Sequence, residues 1–170
     1  MFYGHGLELD STLYNIGAAA GIVFNPNRRI VPTLRAHRLV EYVKRCDDKD
    51  TQSRLMEALF HAYFEEAAMI NEIDVLVDIA ACSVGLDSTL VEQFLQTDEE
   101  ADVVNSAHCS TIEMGIGGVP FFFISHVDID GNLLAPPLCL SGGQPVEIFE
   151  QAFAKFAMIM SQPAHDEAKG

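Results

Sequence analysis

Residues 113–124 read Glu-Met-Gly-Ile-Gly-Gly-Val-Pro-Phe-Phe-Phe-Ile, and here the pattern of the chain changes from helical to extended. Gly115 ends the preceding helical pattern, and Val119-Pro120 opens an apolar run that is typical of a β-strand. Because proline has no amide hydrogen to donate to a sheet, it is expected at the first residue of a strand. We therefore predict a strand at this point, with a cis peptide bond between Val119 and Pro120.

A hairpin and a final helix are predicted after this strand. Asp130-Gly131-Asn132 is a turn signal, and a return strand is expected over Leu133-Leu134 and Leu138–Leu140. Pro136 and Pro137 make that return an edge strand or an interrupted one. The last helix follows Pro145, and its apolar residues recur at helical spacing: Phe149, Ala152, Phe153, Phe156, Ile159 and Met160.

The chain before Gly115 predicts compact helices joined by short breaks. The longest helix is expected from Thr51 to Met69, where two adjacent rows of apolar side chains form a wide face. Asn71 is a candidate cap for the next helix, and Gly85 is expected to end it in a left-handed conformation. The other predicted helices cover 11–20, 32–45, 72–84, 87–96 and, with a capping-box pattern at Thr97, about 97–114.

Composition limits the classes of partner. Among 170 residues, Lys and Arg number 10 and Asp and Glu number 25, which gives a net charge of −15. Such a chain is repelled by phosphate backbones and anionic lipids, so we expect neither a nucleic-acid partner nor a membrane partner. The longest apolar stretches, around 116–124 and 153–160, are shorter than the roughly 20 residues of a membrane span. A hydrophobic content of 49% excludes disorder over most of the chain.

The four cysteines, at positions 46, 82, 109 and 139, form no Cys-x-x-Cys pair. The usual zinc-finger and dithiol spacings are therefore absent. The first ten residues contain no basic residue and no long apolar run, so no secretory signal is expected. These features predict a cytoplasmic chain with reduced, mostly buried thiols and Cys82 in the core, although an organelle stays open as an alternative.

Four segments together resemble one family. Residues 113–124 resemble the cis-proline segment of DsbA-type thioredoxin-fold oxidoreductases, with the FrnE-like branch as the nearest match. That branch is related to 2-hydroxychromene-2-carboxylate isomerases and kappa-class glutathione transferases. Residues 33–39 resemble the branch's helix after its second strand, 59–64 its aromatic helix, and 141–145 the turn before its last helix. The resemblance covers roughly residues 14–157 in the expected order.

The resemblance implies an α/β, thioredoxin-like fold with a large helical insertion. Such a chain is mostly helical, and its sheet is expected to be incomplete on the N-terminal side. One domain is expected over 1–160, with the insertion at about 30–115, a strand, hairpin and helix over 116–160, and a flexible tail over 161–170.

Two departures from the family pattern affect the expected activity. The family begins with a strand, a Cys-Pro-x-Cys or serine at a helix N-terminus, and a second strand, whereas residues 1–10 contain neither Cys nor Ser-Pro. Pro32 stands where the family often has Asn, so a side-chain acceptor is lost. We expect a chain that lacks the N-terminal active-site block and is impaired or inactive in thiol–disulfide exchange.

The resemblance places substrate binding at Gly118, Val119, Pro120 and the family histidine, His37. It assigns no residue to catalysis or to a metal. His37 has two interpretations, as a packing or hydrogen-bonding residue between the helical part and the sheet, or as a ligand contact.

Two residue pairs outside the resemblance contain side chains of types that take part in chemistry. His61 and Glu65 have the i, i+4 spacing of metal ligands, but no second cluster of ligands is visible and a solvated helix face is the favoured interpretation. His108 and Cys109 are adjacent on a helix, so their side chains diverge by about 100° and do not face each other.

Three functions remain open. The first is thiol–disulfide exchange on a peptide, without a cofactor. The second is a non-catalytic binding or assembly module that uses the Val119 edge; apolar faces left by the missing strands would then be covered, for example in a homodimer. The third is an isomerase-like or transferase-like enzyme that binds glutathione, or a similar ligand, along Val119.

Overall fold

The computed structural model describes residues 11–45 and 49–161. These residues form a mostly helical α/β chain with a two-stranded sheet. The helices are α1 (Ser11–Ala19), α2 (Leu34–Lys44), α3 (Lys49–Phe64), α4 (Ile73–Val84), α5 (Ser88–Gln96), α6 (Ala101–Glu113) and α7 (Val146–Ser161), and the strands are β1 (Phe121–Ile124) and β2 (Leu138–Ser141).

The chain divides into two compact units at the boundary between Cys109 and Ser110, within α6. The expectation of one domain over 1–160 therefore stays a prediction. The predicted tail lies outside the described residues except for Ser161, as do the first ten residues. No helix of the described ranges is both long enough and apolar enough to cross a membrane.

The first unit is built on four helices that share an apolar core. Helices α2, α3, α4 and α5 contribute side chains at helical spacing, and each fully buried one contributes roughly 1.5–3 kcal/mol to folding. The largest fully buried side chains are Leu39 and Val43 on α2, Leu55 on α3, Leu76 on α4, and Val91 and Leu95 on α5.

Arg38 links α2 to the end of α5. Its side chain is only 3% exposed. Its Nε donates to the carbonyl of Glu99 at 2.6 Å, and Nη2 donates to the carbonyls of Thr97 at 2.6 Å and Phe94 at 3.2 Å. One guanidinium thus donates to two carbonyls just beyond the end of α5, and it shares the carbonyl of Phe94 with the amide and the hydroxyl of Thr97. Burial lowers the pKa of Arg38.

Two helix boundaries differ from prediction for a backbone reason. Helix α3 ends at Phe64, before the predicted Met69, and Ala67 just beyond it has a left-handed φ of 58°. Helix α6 begins at Ala101, after the predicted start at Thr97, and Glu100 has a φ of 65°. Left-handed residues interrupt helices, and neither Ala nor Glu announces that conformation as Gly does.

The end of α3 is bound to the connection between α1 and α2. The amide of Asn25 donates to the carbonyl of Phe64 at 2.8 Å. Glu65 Oε2 accepts from the amide of Val23 at 3.1 Å, and Glu65 Oε1 lies 3.0 Å from His61 Nδ1. The hydrogen bond with Glu65 raises the pKa of His61, and the same bond lowers the pKa of Glu65.

At helix α4 the predicted final residue is confirmed, whereas the predicted cap at the start is wrong. Glu72, not Asn71, occupies the position before its first turn, and no side chain caps the helix there. Gly85 ends the helix with a φ of 71°, as predicted. Asp87 then caps α5, because its Oδ1 accepts from the amide of Leu90 at 3.0 Å.

The second unit contains the hairpin and α7. Strands β1 and β2 are antiparallel, with Phe121 opposite Ser141 and Ile124 opposite Leu138. One sheet face packs on α7, where the rings of Phe122 and Phe149 are perpendicular with centroids 5.0 Å apart. The predicted return strand forms only from Leu138 onward, and the earlier leucines contribute one isolated bridge, from Leu133 to Val127.

Replacing Arg38 should destabilise the first unit strongly. Arg38→Met keeps much of the side-chain volume but removes three hydrogen bonds and leaves the carbonyls of Thr97 and Glu99 without their donor, so we expect a loss of about 3 kcal/mol in the free energy of unfolding. Arg35→Met is the matched control on the same helix, since Arg35 is exposed and donates to one carbonyl; it should cost less than about 1 kcal/mol. Equal losses in urea unfolding of the two variants would contradict the role given to Arg38.

The His61–Glu65 pair should make stability depend on pH. A raised pKa in His61 stabilises the fold below its unfolded value of 6.5, and this contribution is lost as pH rises through the folded pKa. A lowered pKa in Glu65 stabilises the fold above its unfolded value of 4.5 and is lost in acid. The destabilisation caused by His61→Gln should therefore be larger at pH 5.5 than at pH 8.5 in urea titrations. An equal destabilisation at both pH values would refute this assignment, and His37→Gln serves as the exposed-histidine control.

Candidate functional site

Gly118, Val119 and Pro120 lie in the exposed connection between α6 and β1. The peptide bond between Val119 and Pro120 is cis. The Val119 side chain is 91% exposed, and no described residue forms a hydrogen bond with its backbone. The structure thus places the three predicted site residues together, at the start of the strand.

The direction of each backbone group in β1 follows from one hydrogen bond. The amide of Gly142 donates to the carbonyl of Pro120 at 2.8 Å, so the backbone of Pro120 faces β2. Alternate residues of an antiparallel strand direct their N–H and C=O groups to opposite edges. Phe122 therefore also faces β2, and Phe121 and Phe123 face the outer edge. An amide hydrogen at position 120 would point toward β2, so its absence in Pro120 removes no donor from the outer edge of β1.

The sheet face opposite α7 is apolar. Side chains alternate between the two faces of a strand, and Phe122 contacts α7, so Phe121 and Phe123 lie on the other face. Their ring centroids are 5.0 Å apart, and Phe123 is 51% exposed. We use the term β1 surface for the backbone of Val119, the outer edge of β1, and the rings of Phe121 and Phe123.

An aspartate turn follows the strand. Asp128 Oδ1 accepts from the amides of Asp130 at 2.9 Å and Asn132 at 2.8 Å, and Oδ2 accepts from Asn132 Nδ2 at 2.9 Å. Hydrogen bonds with Asn132, followed by those of the backbone, lower the pKa of Asp128. This carboxylate is therefore ionised at neutral pH. Its bonds stabilise the predicted turn at Asp130-Gly131-Asn132.

His37 lies in the first unit, on α2. Its side chain is exposed, and with Thr33 it lines a cavity of about 190 Å³ that is otherwise almost wholly apolar. An apolar cavity of comparable size, about 150 Å³, admits a benzene ring in an engineered protein. The remaining lining residues include Ala36, Val40, Met56, Leu59, Phe60 and Ile70. His37 and the Val119 segment thus belong to different units, and the ligand-contact interpretation of His37 stays a prediction.

Comparisons with known proteins bear on this arrangement. The sequence model of the DSBA-like thioredoxin domain matches residues 5–154. The chain belongs to the DsbA-like thioredoxin family. Its structure is similar to the crystal structure of a probable DsbA oxidoreductase from Streptomyces coelicolor, with a TM-score of 0.69 and 25% sequence identity. That match covers 94% of this chain and 63% of the other, so the chain spans less than two thirds of that protein's length. A search of curated proteins gave no significant match.

The DsbA-like fold assignment agrees with the fold predicted from sequence. The mostly helical chain, the short incomplete sheet and the thioredoxin-like class are all confirmed. The FrnE-like branch and the absence of an active-site block are finer statements that the family match leaves as predictions.

The described cysteines of this DsbA-like chain are more exposed than the sequence predicts. Cys82, Cys109 and Cys139 are free and exposed, so the prediction of mostly buried thiols is wrong for these three. The buried side of α4 carries Ala80, and at 100° per residue Cys82 lies about 200° from it, on the opposite side of the helix. Cys46 lies outside the described residues.

The described residues contain no group of three His, Cys, Asp or Glu side chains arranged for a metal ion. His61 instead contacts Glu65 and Glu66, with its Nε2 atom 3.4 Å from Glu66 Oε1. Sequence reasoning did not single out Phe121 and Phe123, because four consecutive apolar residues do not indicate which pair lies on the open face. The contact between Phe122 and Phe149 supplies that information, because alternate side chains of a strand lie on opposite faces.

Hydrogen exchange should distinguish the two edges of β1. The amides of Phe121 and Phe123 point outward, and we expect them to exchange at least about tenfold faster than that of Phe122, which pairs with Leu140. Amide exchange measured by NMR on the free chain gives the comparison within a single strand. Equal protection of all three amides would show that the outer edge is covered.

Proposed function

We propose that this chain functions in thiol–disulfide exchange as a DsbA-like protein of the FrnE-like branch, and that as written it supplies substrate binding rather than the reactive thiolate. The observation that carries the proposal is that this member of the DsbA-like family contains no Cys-x-x-Cys pair among its 170 residues.

The chemistry explains why that pair matters. Exchange begins when a thiolate attacks a disulfide sulfur and forms a mixed disulfide, which a second thiol then resolves by expelling the first. A cysteine gains thiolate character at a helix N-terminus, where the helix dipole stabilises negative charge. Cys109 lies in the second half of α6 and Cys82 near the end of α4, whereas Cys139 lies on a strand. These three positions supply neither the dipole nor a resolving cysteine three residues away.

The chain contains residues that can bind an extended peptide that carries a thiol or a disulfide. A peptide can add as a strand to an exposed sheet edge, with its main chain bonded to the free donors and acceptors of that edge. The exposed Val119 segment and the outward backbone of Phe121 and Phe123 offer such groups. Gly118 lacks a side chain, so a peptide main chain can approach closely beside it.

His37 stays a candidate ligand contact within this proposal. Its exposed ring stands beside an apolar cavity, where a histidine can hydrogen-bond a polar group of a molecule whose apolar part enters the cavity. The alternative, in which His37 only packs or hydrogen-bonds within the protein, would leave ligand binding unchanged when it is replaced.

The two other functions have less support. Glutathione carries two carboxylates, and residues 110–161 contain five acidic residues and one basic residue, so the second unit repels that ligand. A homodimer through the β1 surface would likewise bring two acidic chains together. Free and exposed thiols suit a reducing compartment, and we retain the cytoplasm as the proposed location.

An insulin reduction assay tests the proposed inactivity. With dithiothreitol as reductant, the chain should not raise the rate of insulin precipitation above that of dithiothreitol alone, because no dithiol pair is present to cycle. A complete DsbA-like oxidoreductase with Cys-x-x-Cys is the positive control. The variant with Cys46, Cys82, Cys109 and Cys139 all changed to Ser is the matched control. Turnover by this chain that disappears in that variant would refute the proposal.

A further inference from the structure

We propose that Arg28 binds the carboxylate of a small monocarboxylic acid, with the rings of Tyr63 and Phe64 beside the bound ligand. This binding site is independent of the proposed thiol–disulfide exchange. Three features of the structure support it: the burial of the arginine, the lack of an acceptor for its guanidinium among the described residues, and the contacts of the nearest acidic side chains.

Arg28 lies in the connection between α1 and α2, and its side chain packs on the end of α3. Only 8% of the residue is exposed. Its Cζ atom lies 4.9 Å from the ring centroid of Tyr63 and 4.7 Å from that of Phe64. The faces of aromatic rings attract a cation, so the two rings stabilise the guanidinium in this position. A ring face offers no oxygen atom, however, and the five N–H groups of a guanidinium are donors that need acceptors.

The guanidinium of Arg28 has neither a hydrogen-bond acceptor nor an ion-pair partner in the described ranges. Buried arginines are normally paired, because an isolated charge is costly to remove from water. Nε is fully enclosed and unpaired, whereas the two Nη atoms at the tip keep contact with solvent. Those two atoms form a planar fork that matches the two oxygens of a carboxylate. A ligand can therefore reach the charge from the solvent side.

The acidic residues that directly follow α3 are bound elsewhere. Glu65 Oε1 lies 3.0 Å from Nδ1 of His61, and Glu66 Oε1 lies 3.4 Å from Nε2 of the same ring. Glu65 Oε2 also accepts from the amide of Val23 at 3.1 Å. Both carboxylates thus contact a histidine at the surface and leave Arg28 unpaired, although acidic residues outnumber Lys and Arg by 25 to 10 in this chain.

Charge and accessible area indicate which anion fits Arg28. The chain has a net charge of −15, so it repels a dianion such as a phosphate ester more strongly than a monoanion. The small exposed fraction of the arginine suits a compact head group. Tyr63 and Phe64 are both half-buried, and their rings offer apolar surface to a short alkyl chain. A monocarboxylate with a short alkyl chain combines these properties.

Three ligands with the same propyl chain test the charge and the head group: butyrate, its neutral amide butyramide, and propyl phosphate. NMR of the 15N-labelled full chain follows the Nε–Hε signal of Arg28 at about pH 7.5, where the phosphate ester is mostly a dianion. Butyrate should shift this signal to saturation with a Kd on the order of a few millimolar. Butyramide and propyl phosphate should each bind at least about tenfold more weakly.

Matched substitutions locate the site. Arg28→Lys keeps the charge but loses the planar fork, so it should weaken butyrate binding at least about tenfold, measured at the backbone amides of Tyr63 and Phe64. Arg29→Gln is the control, because Arg29 is the adjacent residue and is exposed; it should change the Kd by less than about twofold. Far-UV circular dichroism checks the folding of both variants. If Arg28→Lys does not fold, the Nε–Hε titrations of the unsubstituted chain with the three ligands decide the question.

Four results would overturn the proposal. Equal binding of butyrate and butyramide would show that the alkyl chain binds without help from the charge. Binding of propyl phosphate as tight as that of butyrate would exclude selection of a monocarboxylate. Equal weakening in Arg28→Lys and Arg29→Gln would attribute the binding to the general charge of the surface. An Nε–Hε signal that does not move, or that moves without saturation up to about 50 mM butyrate, would show that Arg28 is not a binding site.

Discussion

The hydrogen bond from Gly142 to the carbonyl of Pro120 determines the geometry of the second unit. It extends the β1–β2 ladder by one residue beyond the strand and fixes which backbone groups are used inside the hairpin. The proline occupies a position where an amide hydrogen would face β2, so its missing donor does not reduce the capacity of the outer edge. The contact between Phe122 and Phe149 then assigns one face to α7. An accessible edge and an open apolar face result from these two contacts.

The first unit depends on a different kind of contact. Its apolar core is continuous over four helices, but the carbonyls at the end of α5 are satisfied by a charged side chain from α2. A guanidinium suits this position because its planar set of donors reaches several carbonyls at once, whereas lysine offers a single ammonium group. The aromatic ring of Phe94 lies 5.1 Å from the same group and covers it. The unit thus combines apolar burial with a buried arginine that donates three hydrogen bonds to backbone carbonyls.

Much of the fold could be predicted from local signals in the sequence. Gly85 and Asp87 mark a helix end and a helix start through backbone conformation and side-chain capping, and Val119-Pro120 marks the beginning of β1. The sequence did not predict the end of α3 at Phe64, because the bonds from Asn25 to the carbonyls of Phe64 and Glu65 are tertiary, and the left-handed Ala67 beyond them has no propensity for that conformation. The exposed position of Cys82 is nevertheless marked in the sequence, because Asp74 and Asp78 stand eight and four residues before it, on the same side of α4, and both are exposed.

The uncharged edge of β1 also has a consequence for the solution behaviour of the chain. Strand edges of this kind pair readily with one another, and the mutual repulsion of acidic chains opposes that pairing at neutral pH. The repulsion is a property of the whole chain, and it disappears as carboxylates become protonated near their ordinary pKa values of about 4. The negative charge of the chain therefore has a second role: it keeps two copies apart, and so it prevents the unprotected edge of β1 from pairing with the same edge of another copy.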